Sequence, residues 1–286
     1  MPTDPYLAIL VSTVEIAGWL GGSILLWRLL TGRMGPSTPV LKPWPISLEG
    51  FVTGIMLIAA GGFLLPQATS YLSNDILGPA AYDGEWWLVV QGAAFQLGLL
   101  GGALLSGIYL RFQIKRLPKF APVVDEPTST VAPTLHPLLA GTVTFLIAIP
   151  LIGAISFVSK VLVEWLGFAV DEQEMIGMFR NFDEPVRLIF MTVLAAVVAP
   201  VTEELVFRAG FFRYLRTRTT RGFALVLPAF IFAWLHGNVA AFLPLFALGV
   251  FFAMAYERTG RIFVPIIAHA LFNLHTILLV LSGVTS

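Results

Sequence analysis

Apolar runs of spanning length alternate with short polar breaks along almost the whole chain. A helix that crosses a bilayer needs about 20 mainly apolar residues. The pattern offers eight candidates, at 6–30, 46–65, 86–110, 137–157, 186–214, 223–236, 240–256 and 262–281. The third opens on the interfacial pair Trp86-Trp87, of the kind that sits at headgroup level. Within it Gly98 and Gly102 stand four apart, a spacing that lets helices pack closely. The expectation is an all-α polytopic membrane protein of about eight transmembrane helices.

Two breaks are longer than the rest. From Arg111 to His136 the composition shifts to Lys, Pro, Ser, Thr and Asp, which marks a linker over 113–136. It divides a three-helix front, 1–112, from a longer back part, 137–286. Between spans four and five, residues 159–187 mix Trp165, Met175, Met178 and Phe179 with Glu164, Asp171, Glu172, Glu174, Asp183 and Glu184. That mixture is expected to form an amphipathic interfacial helix and loop.

Composition agrees with the pattern. The 286 residues are 57% hydrophobic and 12% charged, against about 45–50% and 25% in soluble domains, so lipid is the expected solvent. Seventeen basic residues balance seventeen acidic ones, which removes any electrostatic case for nucleic acid. With no cysteine, thiolate chemistry, disulfides and cysteine metal sites are excluded. Met1-Pro2-Thr3-Asp4-Pro5 lacks the basic start of a signal peptide, and the apolar run after it is too long for one. Basic clusters follow only odd-numbered spans: Arg28, Arg33 and Lys42; Arg111, Lys115, Arg116 and Lys119; Arg213, Arg216, Arg218 and Arg221; Arg258 and Arg261. The positive-inside rule then puts those loops in the cytoplasm and both termini outside it, in an integral protein of the cell membrane.

Against this oily background the polar exceptions stand out. Pro200-Val201-Thr202-Glu203-Glu204-Leu205-Val206-Phe207-Arg208 follows a long uncharged run. Each buried charge costs roughly 2.5–3.5 kcal/mol on insertion scales, so an interior partner is expected. On a helix Glu204 and Arg208 share a face and can pair, while Glu203 is turned about 100° away. His236 ends one apolar run; His269 and Asn273 lie four apart in another. Three spans thus each carry groups suited to activating water, and their convergence would make a hydrolytic site or a two-histidine, one-carboxylate metal site. Buried salt-bridge packing is the plain alternative. His136, at the linker edge, and His275, about 120° around the helix from His269, are given no part. The absence of His-Glu-x-x-His, of a Gly-x-Ser-Gly serine run and of Gly-x-Gly-Asp sets aside other intramembrane hydrolases.

Depth is a further check. At about 1.5 Å per residue, Glu203 lies about 15 Å from Arg213, His269 about 12 Å from Arg261 and His236 about 22 Å from Arg221. A common site therefore requires span six to begin deeper than Arg221.

Glu203-Glu204-x-x-x-Arg208, Phe232-x-x-x-His236 and His269-x-x-x-Asn273 together resemble the three ordered motifs of the CPBP family. These are the CAAX prenyl protease and bacteriocin-processing membrane enzymes, also called Abi or type II CAAX proteases. The motifs cover roughly 186–281; Ala209 stands where many members have glycine after the arginine. The resemblance implies an intramembrane endopeptidase acting on a membrane-associated or prenylated-type peptide. Glu203 would be the general base on water, assisted by His236; Glu204 and Arg208 would support it, and His269 and Asn273 would stabilise the oxyanion. Another view of the same motifs makes Glu203, His236 and His269 zinc ligands, so the cofactor is either none or zinc. The expected partners are membrane lipid and a peptide or protein substrate. A proton- or ion-coupled transporter and a non-catalytic scaffold or immunity protein are the rival functions.

Overall fold

The computed structural model describes residues 5–34, 41, 44–73, 85–116, 135–168, 179 and 184–283. We number its helices α1 (Pro5–Leu30), α2 (Leu48–Leu72), α3 (Glu85–Arg116), α4 (Pro137–Trp165), α5 (Pro185–Arg216), α6 (Arg221–Leu235), α7 (Val239–Thr259) and α8 (Phe263–Ser282). Among the described residues, seven of these are long and apolar enough to cross a membrane. The protein is an all-α, polytopic integral membrane protein. The eighth element, α6, is apolar but has only 15 residues, about 22 Å of helix and less than a bilayer core. Helix α4 runs past 157 to Trp165. Part of the expected amphipathic segment, at 169–178 and 180–183, and most of the linker, at 117–134, lie outside the described residues.

The chain divides into two compact units. One, Pro43–Leu139, is built on α2 and α3. Their close approach follows from glycine: a Cβ on Gly61 would lie 2.1 Å from the Gly98 carbonyl oxygen, and one on Gly102 would lie 2.4 Å from that of Leu57. In lipid such backbone approach substitutes for hydrophobic drive.

The other unit, Met1–Lys42 with Ala140–Ser286, holds α1 and α4 to α8. Ala148 and Ile152 of α4, Leu248 and Phe252 of α7 and Ala268 of α8 form one buried cluster. Phe212 of α5, Ala224 and Leu225 of α6, and Ala253 and Tyr256 of α7 form a second. Helix α1 lies on α4, where a Cβ on Gly22 would meet the Leu146 carbonyl oxygen at 2.1 Å and one on Gly153 would meet the Trp19 ring at 2.4 Å. Large apolar side chains such as Ile9, Leu20, Phe157 and Phe190 remain exposed, as suits a surface facing acyl chains. At one end, buried Glu257 pairs with Arg216 at 2.6 Å and Arg221 at 2.8 Å. Arg258 Nη2 donates to the Met34 carbonyl at 2.9 Å. The basic segments after α1, α5 and α7 therefore gather on one side of this unit.

Candidate active site

The site begins with a defect in α5. Residues Leu194–Val198 widen into a π-turn, in which the Ala199 N–H bonds the Leu194 carbonyl five residues back. In that register the next donor, at position 200, would serve the Ala195 carbonyl, but Pro200 has no N–H. The amide of Asn273, on α8, supplies the missing donor: Nδ2 bonds the Ala195 oxygen at 2.9 Å. A proline placed one turn before the glutamates thus recruits a polar side chain from another span. The Thr202 hydroxyl, fully buried, donates to Val198 O at 2.8 Å. A second π-turn, Leu205–Phe212, follows the glutamates; such bulges are frequent at functional sites.

Between the two turns, Glu204 is completely buried. Its Oε1 lies 2.8 Å from Arg208 Nη1 and 2.9 Å from His269 Nδ1. The arginine contact is a close ion pair without hydrogen-bond alignment. Arg208, 2% exposed, donates through Nη2 to the Gly249 carbonyl at 3.3 Å. Its guanidinium carbon lies 4.9 Å from the Phe232 ring centre and 5.7 Å from that of Phe252. Burying a charge is tolerable when it is paired and hydrogen-bonded, and here a carboxylate, a carbonyl and two ring faces share the task.

Glu203 behaves differently. Its side chain is 19% exposed, and Oε2 stands 3.7 Å from His269 Nε2, beyond hydrogen-bond reach. His269, itself buried, is therefore addressed by a carboxylate at each ring nitrogen, and its ring lies against Phe252 and Phe232 at 5.4 and 6.1 Å. The expected pairing of Glu204 with Arg208 is present, and Glu203 is the glutamate left without a close partner.

His236 stands apart. It follows α6 as an exposed residue, with Nδ1 2.7 Å from the Phe232 carbonyl. A carbonyl only accepts, so Nδ1 carries a proton and Nε2 of the neutral ring keeps its lone pair. Among the described residues no carboxylate oxygen lies within 4.0 Å of either His236 nitrogen. The required deeper start of span six does not occur: α6 begins at Arg221, capped by Thr220. Instead Phe232, one turn short of His236, reaches the depth of the others, about 16 Å from Arg221. Its ring touches His236 edge-on at 4.6 Å, Phe207 at 5.3 Å and His269 at 6.1 Å.

The donors expected for zinc do not fit a metal here. Among the described residues no group of three His, Cys, Asp or Glu side chains has the spacing to hold an ion. His269 Nδ1 faces Glu204 and His236 Nδ1 faces the Phe232 carbonyl. Sequence reasoning missed Glu15, which pairs with His275 and accepts from Trp19 Nε1 at 2.7 Å. Its signal was there to find, as the one charge between Tyr6 and Trp27.

Fold and site together define a helical membrane protein with a buried, charge-paired carboxylate–imidazole cluster. Residues 185–275 match the family model of type II CAAX prenyl endopeptidase Rce1-like proteins. Through this part the chain is similar to that family. It is also 35% identical over 94 residues to YdiL of Bacillus subtilis (strain 168), a protein named as a candidate membrane peptidase. That likeness covers 33% of this chain and 38% of the relative, so the chain matches well under half of the relative's length. No solved structure matches.

Proposed function

We propose that the chain is an intramembrane endopeptidase that hydrolyses a peptide bond of a membrane-associated or prenylated-type substrate with water activated by Glu203. The observation that carries this reading is the imidazole of His269 set between two adjacent carboxylates, one of them locked to Arg208. The family match over 185–275 supports peptidase chemistry, and the geometry suggests how the labour is divided. Glu203, partly exposed and facing His269 at 3.7 Å, takes a proton from water as the oxygen attacks the amide carbon. His236, whose Nδ1 faces the Phe232 carbonyl, assists Glu203 through its Nε2 lone pair.

His269 faces the developing oxyanion. With a proton on each nitrogen it donates Nδ1–H to Glu204 and offers Nε2–H to the oxyanion. Asn273 has a second Nδ2 proton beyond the one given to Ala195, and it adds that donor. Glu203 finally returns its proton to the departing amine. No step requires a metal. The gathered arginine segments support a cytoplasmic opening in the cell membrane with both termini on the other side.

The test compares peptide ends in the membranes of cells carrying the wild-type chain or Glu203→Ala. New ends that depend on Glu203, reproduced by the purified chain in liposomes, are expected. An identical set of ends from both proteins removes the proposal.

A further inference from the structure

We propose that Glu15 of α1 and His275 of α8 are a positioning pair that sets the rotation of α8, and with it the aim of His269 and Asn273. For its kinetic consequence this rests on the peptidase reading above. Glu15 is the only charged residue between Tyr6 and Trp27, where a charge without a partner is costly in lipid. Gly18 and Gly22 seat α1 on α4, and the carboxylate then meets two groups, Trp19 Nε1 on its own helix and His275 Nε2 on α8. The His275 ring is enclosed by Phe145 of α4 at 5.7 Å and Phe272 at 6.5 Å.

Helix α8 needs such a grip. In a bilayer the apolar faces of a helix are interchangeable with lipid, so burial alone fixes rotation weakly. At about 100° per residue, Asn273 lies about 40° from His269 and His275 about 120° to the other side. Contacts to α5 therefore hold one face of α8 and the contact to α1 holds another. Two directions fix a rotation that one leaves free. A turn of about 20° would move a side chain at a radius of about 5–6 Å by about 2 Å. That is enough to break the 2.9 Å contact between His269 and Glu204.

The chain has no cysteine, so spin labels at Val197→Cys on α5 and Leu274→Cys on α8, both exposed, report the distance between these helices alone. In the full chain in liposomes, Glu15→Ala and His275→Ala are expected to shift or broaden that distance by about 2 Å. They are expected to lower kcat about 10- to 100-fold with KM changed less than threefold. The double alanine variant should be no worse than either single, and the exchanged pair Glu15→His with His275→Glu should restore both measurements. If an alanine variant does not fold, Glu15→Gln and His275→Gln carry the same two measurements. Unchanged distances in the singles, or an exchanged pair no better than the double alanine, overturn the inference. A wild-type chain that cleaves nothing would instead refute the peptidase reading, and the label distances would still decide this one.

Discussion

Arg208 and Glu204 offer the sharpest energetic test. Both are almost completely removed from solvent, and they lie 2.8 Å apart. Removing one partner of a buried ion pair costs about 3–5 kcal/mol, because the other charge stays behind uncompensated. Glu204→Gln should sit near the lower end, about 3 kcal/mol, since Arg208 keeps the Gly249 carbonyl and the faces of Phe232 and Phe252, each face worth about 0.5–2 kcal/mol. Arg208→Met should cost more, about 4 kcal/mol, because the carboxylate retains only His269. The double variant carries neither charge, and its glutamine still accepts from His269. It should be more stable than either single, short of the additive sum by at least about 4 kcal/mol. The assay is reversible unfolding of the four proteins in mixed micelles. Single losses of 1 kcal/mol or less, the range of exposed pairs, or an additive double, would refute the picture of a buried, mutually compensating pair.

His236→Ala should abolish cleavage while leaving the unfolding midpoint unchanged, because the ring is exposed and, among the described residues, its one polar contact is to a neighbouring backbone carbonyl; turnover and unfolding measured on one preparation check this. Asn273→Leu should destabilise by about 1–3 kcal/mol by leaving the Ala195 carbonyl without its donor, and Pro200→Ala, which restores an N–H at position 200, should recover part of that loss in the same unfolding assay. Gly249→Leu should loosen α6 from α7, since even a Cβ there meets Ala229 at 2.9 Å. Faster amide exchange confined to these two helices is the expected result.

Hydropathy made the membrane architecture legible, because lipid demands long apolar runs and the charges between them alternate. The pairing of Glu204 with Arg208 was equally legible from a spacing of four on one helix. What the sequence concealed depends on position in space. That Phe232 rather than His236 reaches the depth of His269 follows from where α6 begins. That His275 meets Glu15 follows from α1 lying beside α4 and α8, across a separation of 260 residues. The π-turn before the glutamates was unreadable too, although Pro200 marked the place where a backbone bond had to fail.

That failed bond ties the local chain to the chemistry. A regular helix through 194–204 without a proline would satisfy its own carbonyls and leave α8 with nothing polar to grip there. Because Pro200 cannot donate, Ala195 O needs an outside partner, and in lipid an unmet carbonyl costs far more than at a wet surface. Asn273 answers that need, and one turn earlier on α8 His269 is brought against Glu204. The same attachment leaves Glu203, rotated about 100° from its neighbour, facing His269 at 3.7 Å instead of being consumed in an ion pair. Two adjacent glutamates thus acquire different environments from one helix defect. The sealed one secures the arginine and the imidazole, and the other keeps a partial exposure.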